Sequence, residues 1–344
     1  MKMYQTIVSP LAIALVFSCV QVSAQTVGSE NKDMLRNNAR AHDRKTFDDV
    51  QYDSNHKSAS HYIRLLVTAV SRGDTLLMNI GPKGDGSFDT KDLTVLKGID
   101  KWMDHNNESV NAGKSLLPLQ SWGESTMKDT KLYLHVFHWP ADGKLYVGGI
   151  KSTPDKTYLL SNPKIQLNLK RINTKDLLIS VPRNTPDTMN TVIVLEFSNK
   201  IETDPVRYLS SNISMTRLLA IDATQHGAGF IYGDDKTNRY LVQGWNNKDQ
   251  SLSWTVRTTE DSRYRIMIKY LTSENSGGDY ALKVDDAYEF GYTVNSEKNN
   301  NPIEQELAEL TITAGTHTIS LQPKNIKKAE LMKLLELQLI PIED

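Results

Sequence analysis

Tyr232, Tyr240 and Trp245 fall close together in a turn-rich stretch that also carries Asp234, Asp235, Asn246 and Asn247. Sugars offer C–H faces that stack on aromatic rings and hydroxyls that pair with carboxylates and amides, so these residue types suit a loop-borne sugar site. The alternative is that the rings pack a core, as Trp254 is expected to do between Leu252 and Val256. Asp234 and Asp235 are also the oxygen donors a structural calcium takes, although no ligand series of defined spacing accompanies them; no other cofactor is expected. His135 and His138 fall on opposite faces of a strand or straddle its end with no third ligand near, which argues against a metal there. Lys83-Gly-Asp-Gly86 lacks the spacing and the Lys-Ser/Thr end of a phosphate loop. Asp33, Asp43, Asp48 and Asp49 lie where no strand pattern would hold them and read as solvated charges, so no catalytic residue is assigned.

The elements that must position these side chains change character along the chain. Ser58 is placed to cap a helix carrying Tyr62, Leu65, Leu66, Ala69 and Val70 at helical spacing, and Gly73 stops it. Leu76-Leu-Met-Asn-Ile80 is a short apolar run of the kind buried on both faces of a parallel sheet, and Gly81-Pro82 ends it. Asp89 caps the next helix, with Phe88 placed to staple it and Leu93, Leu96, Ile99, Trp102 and Met103 on its apolar face; Asn107 suits its C-cap. Helix, buried strand and helix make one slice of an α/β barrel that needs eight such units. Asn79 would then stand near the barrel's C-terminal mouth, either facing a sugar or serving as a satisfied turn residue.

Beyond about Gly113 the period becomes two. Strands are expected at 132–138, 144–148, 165–169, 177–181 and 191–197, then at 252–256, 264–270, 280–284, 309–313, 317–321 and within 331–339. The fold class is therefore mainly β: a remnant of a (β/α)8 barrel followed by two antiparallel β-sandwich domains. The expected boundaries are a signal peptide at 1–24, a disordered arm at 25–51, the barrel remnant at 52–113, one sandwich at 114–205 and a jelly-roll sandwich at 214–344.

Forty basic residues against forty-one acidic ones in a chain of 344, with no basic stripe interleaved with aromatics, exclude a nucleic-acid surface. Lys2, the apolar run Ile7 to Val20 and Val22-Ser-Ala24 read as an export signal, too short for a membrane span. The destination is periplasmic or extracellular, or a lipid anchor through Cys19, the only cysteine in the chain.

Tyr52-Asp-Ser-Asn-His-Lys-Ser58, Ile63-Arg-Leu-Leu-Val67, Val70-Ser-Arg-Gly73 and Leu76-Leu-Met-Asn-Ile-Gly-Pro-Lys-Gly-Asp-Gly86 together resemble the end of the catalytic barrel in α-L-fucosidases of glycoside hydrolase family 29. Gly98-Ile-Asp-Lys-Trp102 and Leu132-Tyr-Leu-His-Val-Phe-His-Trp-Pro140 extend the likeness to about residue 200, and the last domain resembles galactose-binding-like, carbohydrate-binding sandwiches. The resemblance implies retaining hydrolysis of terminal α-L-fucose by an aspartate nucleophile and a glutamate acid/base, both upstream of the matched part and placed on no residue here. The expectation is a truncated, exported member of that family, inactive alone, whose partners are fucosylated or other glycans. Two alternatives stand beside it: a stand-alone carbohydrate-binding protein, and a fragment complementing a separately encoded barrel half.

Overall fold

The computed structural model describes residues 57–74, 76, 78, 87–232, 241–295 and 301–342. Helix α1 (Ala59–Arg72) begins where the Ser58 side chain accepts the His61 N–H, and it ends at Gly73, whose φ of 81° a side chain would resist. Helix α2 (Thr90–Val110) begins at Asp89, which accepts the Lys91 N–H at 2.8 Å. The structure carries α2 past Asn107 to a C-cap at Asn111, because the extra turn buries Ser109 and Val110. Phe88 does not act as a staple and stays exposed. A Cβ on Gly98 would stand 2.7 Å from the Ala59 Cβ, so the glycine is what lets the two helices touch. The expected strand at 76–80 lies mostly outside the described residues.

The first sandwich holds nine strands: β1 (Gly113–Lys114), β2 (Gly123–Lys128), β3 (Lys131–Val136), β4 (Lys144–Gly148), β5 (Lys156–Leu159), β6 (Asn162–Gln166), β7 (Leu169–Arg171), β8 (Asp176–Ser180) and β9 (Thr191–Glu196). They form a six-stranded sheet, β1-β2-β3-β9-β5-β6, facing a three-stranded one, β4-β8-β7. The single strand expected at 165–169 is split, since the chain crosses from one sheet to the other there: Leu167 N–H bonds Thr157 O, and Asn168 O accepts the Ser180 N–H. In β9 the alternation serves two cores. Ile193 and Leu195 join Leu132, Leu134, Leu145 and Ile179 between the sheets. Val192 and Val194 turn the other way and meet Tyr133, Ile63, Val67 and Trp102 beneath the helices.

The second sandwich follows with β10 (Arg207–Tyr208), β11 (Thr216–Leu219), a 3-10 turn (Ala220–Asp222), β12 (Thr224–His226), β13 (Ile231–Tyr232), β14 (Val242–Gln243), β15 (Ser251–Thr258), β16 (Ser262–Leu271), β17 (Gly278–Val284), β18 (Tyr288–Thr293), β19 (Ile303–Ile312), β20 (Gly315–Ile326) and β21 (Lys333–Pro341). One sheet runs β10-β15-β20-β17-β18 and the other β13-β14-β21-β16-β19, with β12 added to β15 and β11 to β21. The segment after Pro205 is more than a linker, because β10 joins β15 as a parallel strand.

That strand also docks the two sandwiches. Tyr208 lies so close to β4 that a Cβ on Gly148 would sit 2.1 Å from its own Cβ. Arg257 of β15 stacks over the Tyr208 ring at 5.4 Å and gives both Nη groups to the Asp176 carboxylate of β8, with both partners buried. Asp176 also accepts the Gly149 N–H at 3.2 Å and the Asn173 amide at 2.8 Å. Removing one member of a buried, hydrogen-bonded pair strands the other's charge, so Arg257→Met should cost roughly 3–5 kcal/mol in urea unfolding. Restoring neutrality with Asp176→Asn in the same chain should recover part of that loss.

Candidate functional site

Tyr232 sits on β13, an edge strand paired only with β14 in the register Tyr232 opposite Val242. Both of its residues face solvent, Ile231 at 57% exposure and Tyr232 at 39%, which leaves an apolar ledge open to a ligand. Trp245, two residues past β14, is 1% exposed and part of the sandwich core, with the Phe230 ring 5.7 Å away. Enclosed in this way it offers no face to a sugar, and its backbone carbonyl accepts the Leu331 N–H. Trp254 is likewise core, its indole N–H bonded to Leu219 O. Asn79, Tyr240, Asp234 and Asp235 lie outside the described residues.

What holds the ledge is Gln250, a residue the sequence reading passed over. Its carbonyl oxygen accepts the N–H groups of Asn246 and Asn247, each at 2.8 Å, and its amide donates to Ala228 O at 2.9 Å and Gly244 O at 3.0 Å. All four positions of a buried amide are thus used, which fixes its orientation and clamps the two chain segments flanking β13 and β14. Gly244 has a φ of 83°, and a Cβ there would meet Gly229 O at 2.4 Å. The glycines were the sequence signal for this close approach; nothing in the sequence singled out Gln250. Gln250→Ala should leave four backbone groups without partners and lower stability by about 2–4 kcal/mol, measured by thermal or urea unfolding.

A second aromatic ledge was also missed. Tyr288 and Phe290 of β18 stack at 6.2 Å, with Tyr288 exposed, and alternation along Tyr288, Phe290 and Tyr292 could have revealed it.

Among the described residues, the neighbouring carboxylates Glu108 and Glu196 do not make a hydrolytic pair. Lys131 Nζ bridges Glu108 at 3.0 Å and Glu196 at 3.2 Å, while the Tyr133 and Tyr158 hydroxyls donate to them. Against the cost of burial, these bonds hold Glu108 below the usual carboxyl range; the Tyr158 bond and Lys131 do the same for Glu196. Two ionised groups sharing one ammonium supply no acid for a leaving oxygen. Among the described carboxyls that depart from their ordinary range, Glu124 alone is pushed up.

The described residues hold no group of three or more His, Cys, Asp or Glu placed to bind a metal. His135 is fully buried in β3. Thr126 donates its hydroxyl to Ser109 O, so it accepts from His135 Nε2, and His135 Nδ1 then accepts from the Asn190 amide. Burial pushes this imidazole down to about 3. Between pH 6.5 and about 3 the unfolded chain binds a proton that the folded one refuses, so stability falls as pH drops through this window. From pH 7 to 5 the His135 share of that loss is about 2 kcal/mol, and His135→Gln should abolish it in urea titrations at the two pH values.

The first class this assembly defines is a two-sandwich chain preceded by barrel-type helices. The family model for α-L-fucosidase matches residues 19–108, starting upstream of Tyr52. The α-L-fucosidase of Branchiostoma floridae is 28% identical over 124 residues, which is 35% of this chain and 28% of that protein. Tissue α-L-fucosidase of Rattus norvegicus is 28% identical over 130 residues, 37% of this chain and 28% of that one. The crystal structure of α-L-fucosidase from Vibrio sp. strain EJY3 superposes with a TM-score of 0.60 at 21% identity, covering 85% of this chain and 52% of its own, a likeness of fold. Residues 19–108 are thus similar to α-L-fucosidases in sequence, and the chain as a whole resembles one in fold. It spans 28% of the length of those two curated relatives. No described helix is long and apolar enough to cross a membrane.

Proposed function

We propose that this chain is an exported glycan-facing part of an α-L-fucosidase-type glycoside hydrolase and does not cleave fucosides by itself. The observation that carries this reading is the state of the described carboxylates: Glu108 and Glu196 are both kept ionised around Lys131, and Glu124 is turned into the protein. A retaining mechanism needs a nucleophile and a proton-bearing partner about 5 Å apart on either side of the glycosidic bond. In this reading both are contributed by barrel strands outside the described residues or by another polypeptide, and the sandwiches hold the glycan or brace the barrel. The apolar run before Gln25 supports export. The test is hydrolysis of an aryl α-L-fucoside by the purified, folded chain beside a full-length relative. The expected result is no turnover; a rate within a few orders of magnitude of the relative would sink the proposal.

The exposed ledge at Ile231 and Tyr232 favours a second reading, sugar binding by the terminal sandwich of the kind carbohydrate-binding modules perform. Calorimetry of the whole chain with fucosylated and other oligosaccharides should then detect binding. Tyr232→Ala should weaken it about tenfold with the melting temperature unchanged, since an exposed ring contributes stacking to the ligand and little to the fold. Equal affinity in the variant would remove this ledge from consideration.

A further inference from the structure

Strand β18 ends its sheet and, among the described strands, pairs only with β17. Tyr288 and Phe290 stand opposite Val284 and Leu282 of β17, whose side chains belong to the core, so the two rings share the inward face. Phe290 packs against that core and is pinned by it, while Tyr288, two residues nearer the turn, is 43% exposed. Their planes lie 6° from parallel with centroids 6.2 Å apart, an offset stack that holds the exposed ring in one orientation. The Tyr292 hydroxyl, on the same face, donates to Leu307 O of β19, which sets β18 against that strand. Strand β19 ends the facing sheet on the side away from β13, so this ledge and the one at Tyr232 lie on opposite edges of the sandwich.

The surroundings narrow the chemistry of an occupant. Glu289 is engaged by Lys283 at 3.3 Å and by Lys324, and Asp279 by Lys327 at 2.9 Å. In the turn, Asp285 accepts the Thr318 N–H at 2.7 Å and is held by the His317 ring at the same distance. An acidic ligand therefore finds no free base here. Among the described residues no partner holds Asp286, which leaves one carboxylate acceptor in the turn, two residues before Tyr288. An edge strand also carries backbone N–H and C=O groups without strand partners, and hydroxyls can use both kinds. A neutral saccharide matches the whole set, with C–H faces for the rings and hydroxyls for the carboxylate and the backbone.

Resting on the reading that the terminal sandwich binds sugars, we propose that Tyr288 and Phe290 form a second saccharide ledge, for a neutral oligosaccharide, on the edge opposite Tyr232. Tyr288 stacks on a sugar ring, Phe290 fixes its angle, and Asp286 and the free edge of β18 take the hydroxyls. Ledges on opposite edges do not grip one short oligosaccharide together. They engage two glycan chains or two stretches of one polymer, so a surface dense in glycan is held more tightly than a free oligosaccharide.

The test is titration of the whole chain with a neutral, fucose-terminated oligosaccharide, read from the ring signals of carbon-13-labelled tyrosine in the wild type, Tyr288→Ala and Tyr232→Ala. Each variant assigns its tyrosine by the signals it loses. The Tyr288 signals should move in the wild type and still move in Tyr232→Ala. Tyr288→Ala should keep the wild-type melting temperature, since the ring is exposed, and lose about tenfold in affinity for a surface coated with the same sugar. Movement of Tyr232 with Tyr288 unmoved would overturn the second ledge and leave the sugar reading standing, whereas movement of neither would remove both. Sedimentation showing a dimer that dissociates in Tyr288→Ala would give the ledge to a second copy of this chain and likewise overturn the proposal.

Discussion

Both faces of the six-stranded sheet in the first sandwich are covered, one by the three-stranded sheet and the other by α1 and α2, and the rest of the molecule is arranged around that double burial. A sheet with one wet face would alternate apolar and polar residues, whereas β9 runs Val192-Ile-Val-Leu195 without a polar break. The helices are consequently part of the sandwich's packing. Trp102 shows how closely: its ring lies in the lower core while its indole N–H reaches Asn190 O at 2.8 Å, so the helix is held by both apolar contact and a directed bond.

The second sandwich is attached by a different kind of contact. Its joint to the first is built from Tyr208 against Gly148, from the buried Asp176 and Arg257, and from Ser121 and Thr216, whose hydroxyls are 2.6 Å apart. Polar groups taken out of water tolerate few alternative partners, so this joint fixes an orientation where an apolar contact would allow sliding. Glu124 and Arg207 lie in the same region, where the helices and the two sandwiches meet. The aromatic ledge at β13 lies on a separate, solvent-facing edge of the second sandwich, so recognition of a ligand there need not disturb the joint.

Much of the fold was legible because each element obeyed one period. Ser58, Gly73 and Asp89 announced helix ends through their own backbone and side-chain chemistry, and strands such as β15, β16 and β20 alternate cleanly because a single core takes every second residue. Short strands gave less warning: β2, Gly123-Glu-Ser-Thr-Met-Lys128, is mostly polar because its side chains are used in hydrogen bonds to α1, α2 and β3. The end of α2 was misjudged by a turn for a related reason, since Ser109 and Val110 are buried by a sheet that the helix sequence does not describe.

The candidate site divides along the same line. Residue type placed Tyr232 and Trp245 in one neighbourhood, and the sequence by itself determined that neighbourhood, the two sandwiches and the likeness of the segment before them to α-L-fucosidases. Only the tertiary structure decided that Tyr232 faces water while Trp245 is enclosed, that Gln250 clamps the chain beneath them, and that Glu124 lies among arginines. The physical reason is that caps and periodicities are written in neighbouring residues. Exposure, desolvation and the meeting of charges depend on residues far apart in the chain, which come together only when the sheets close.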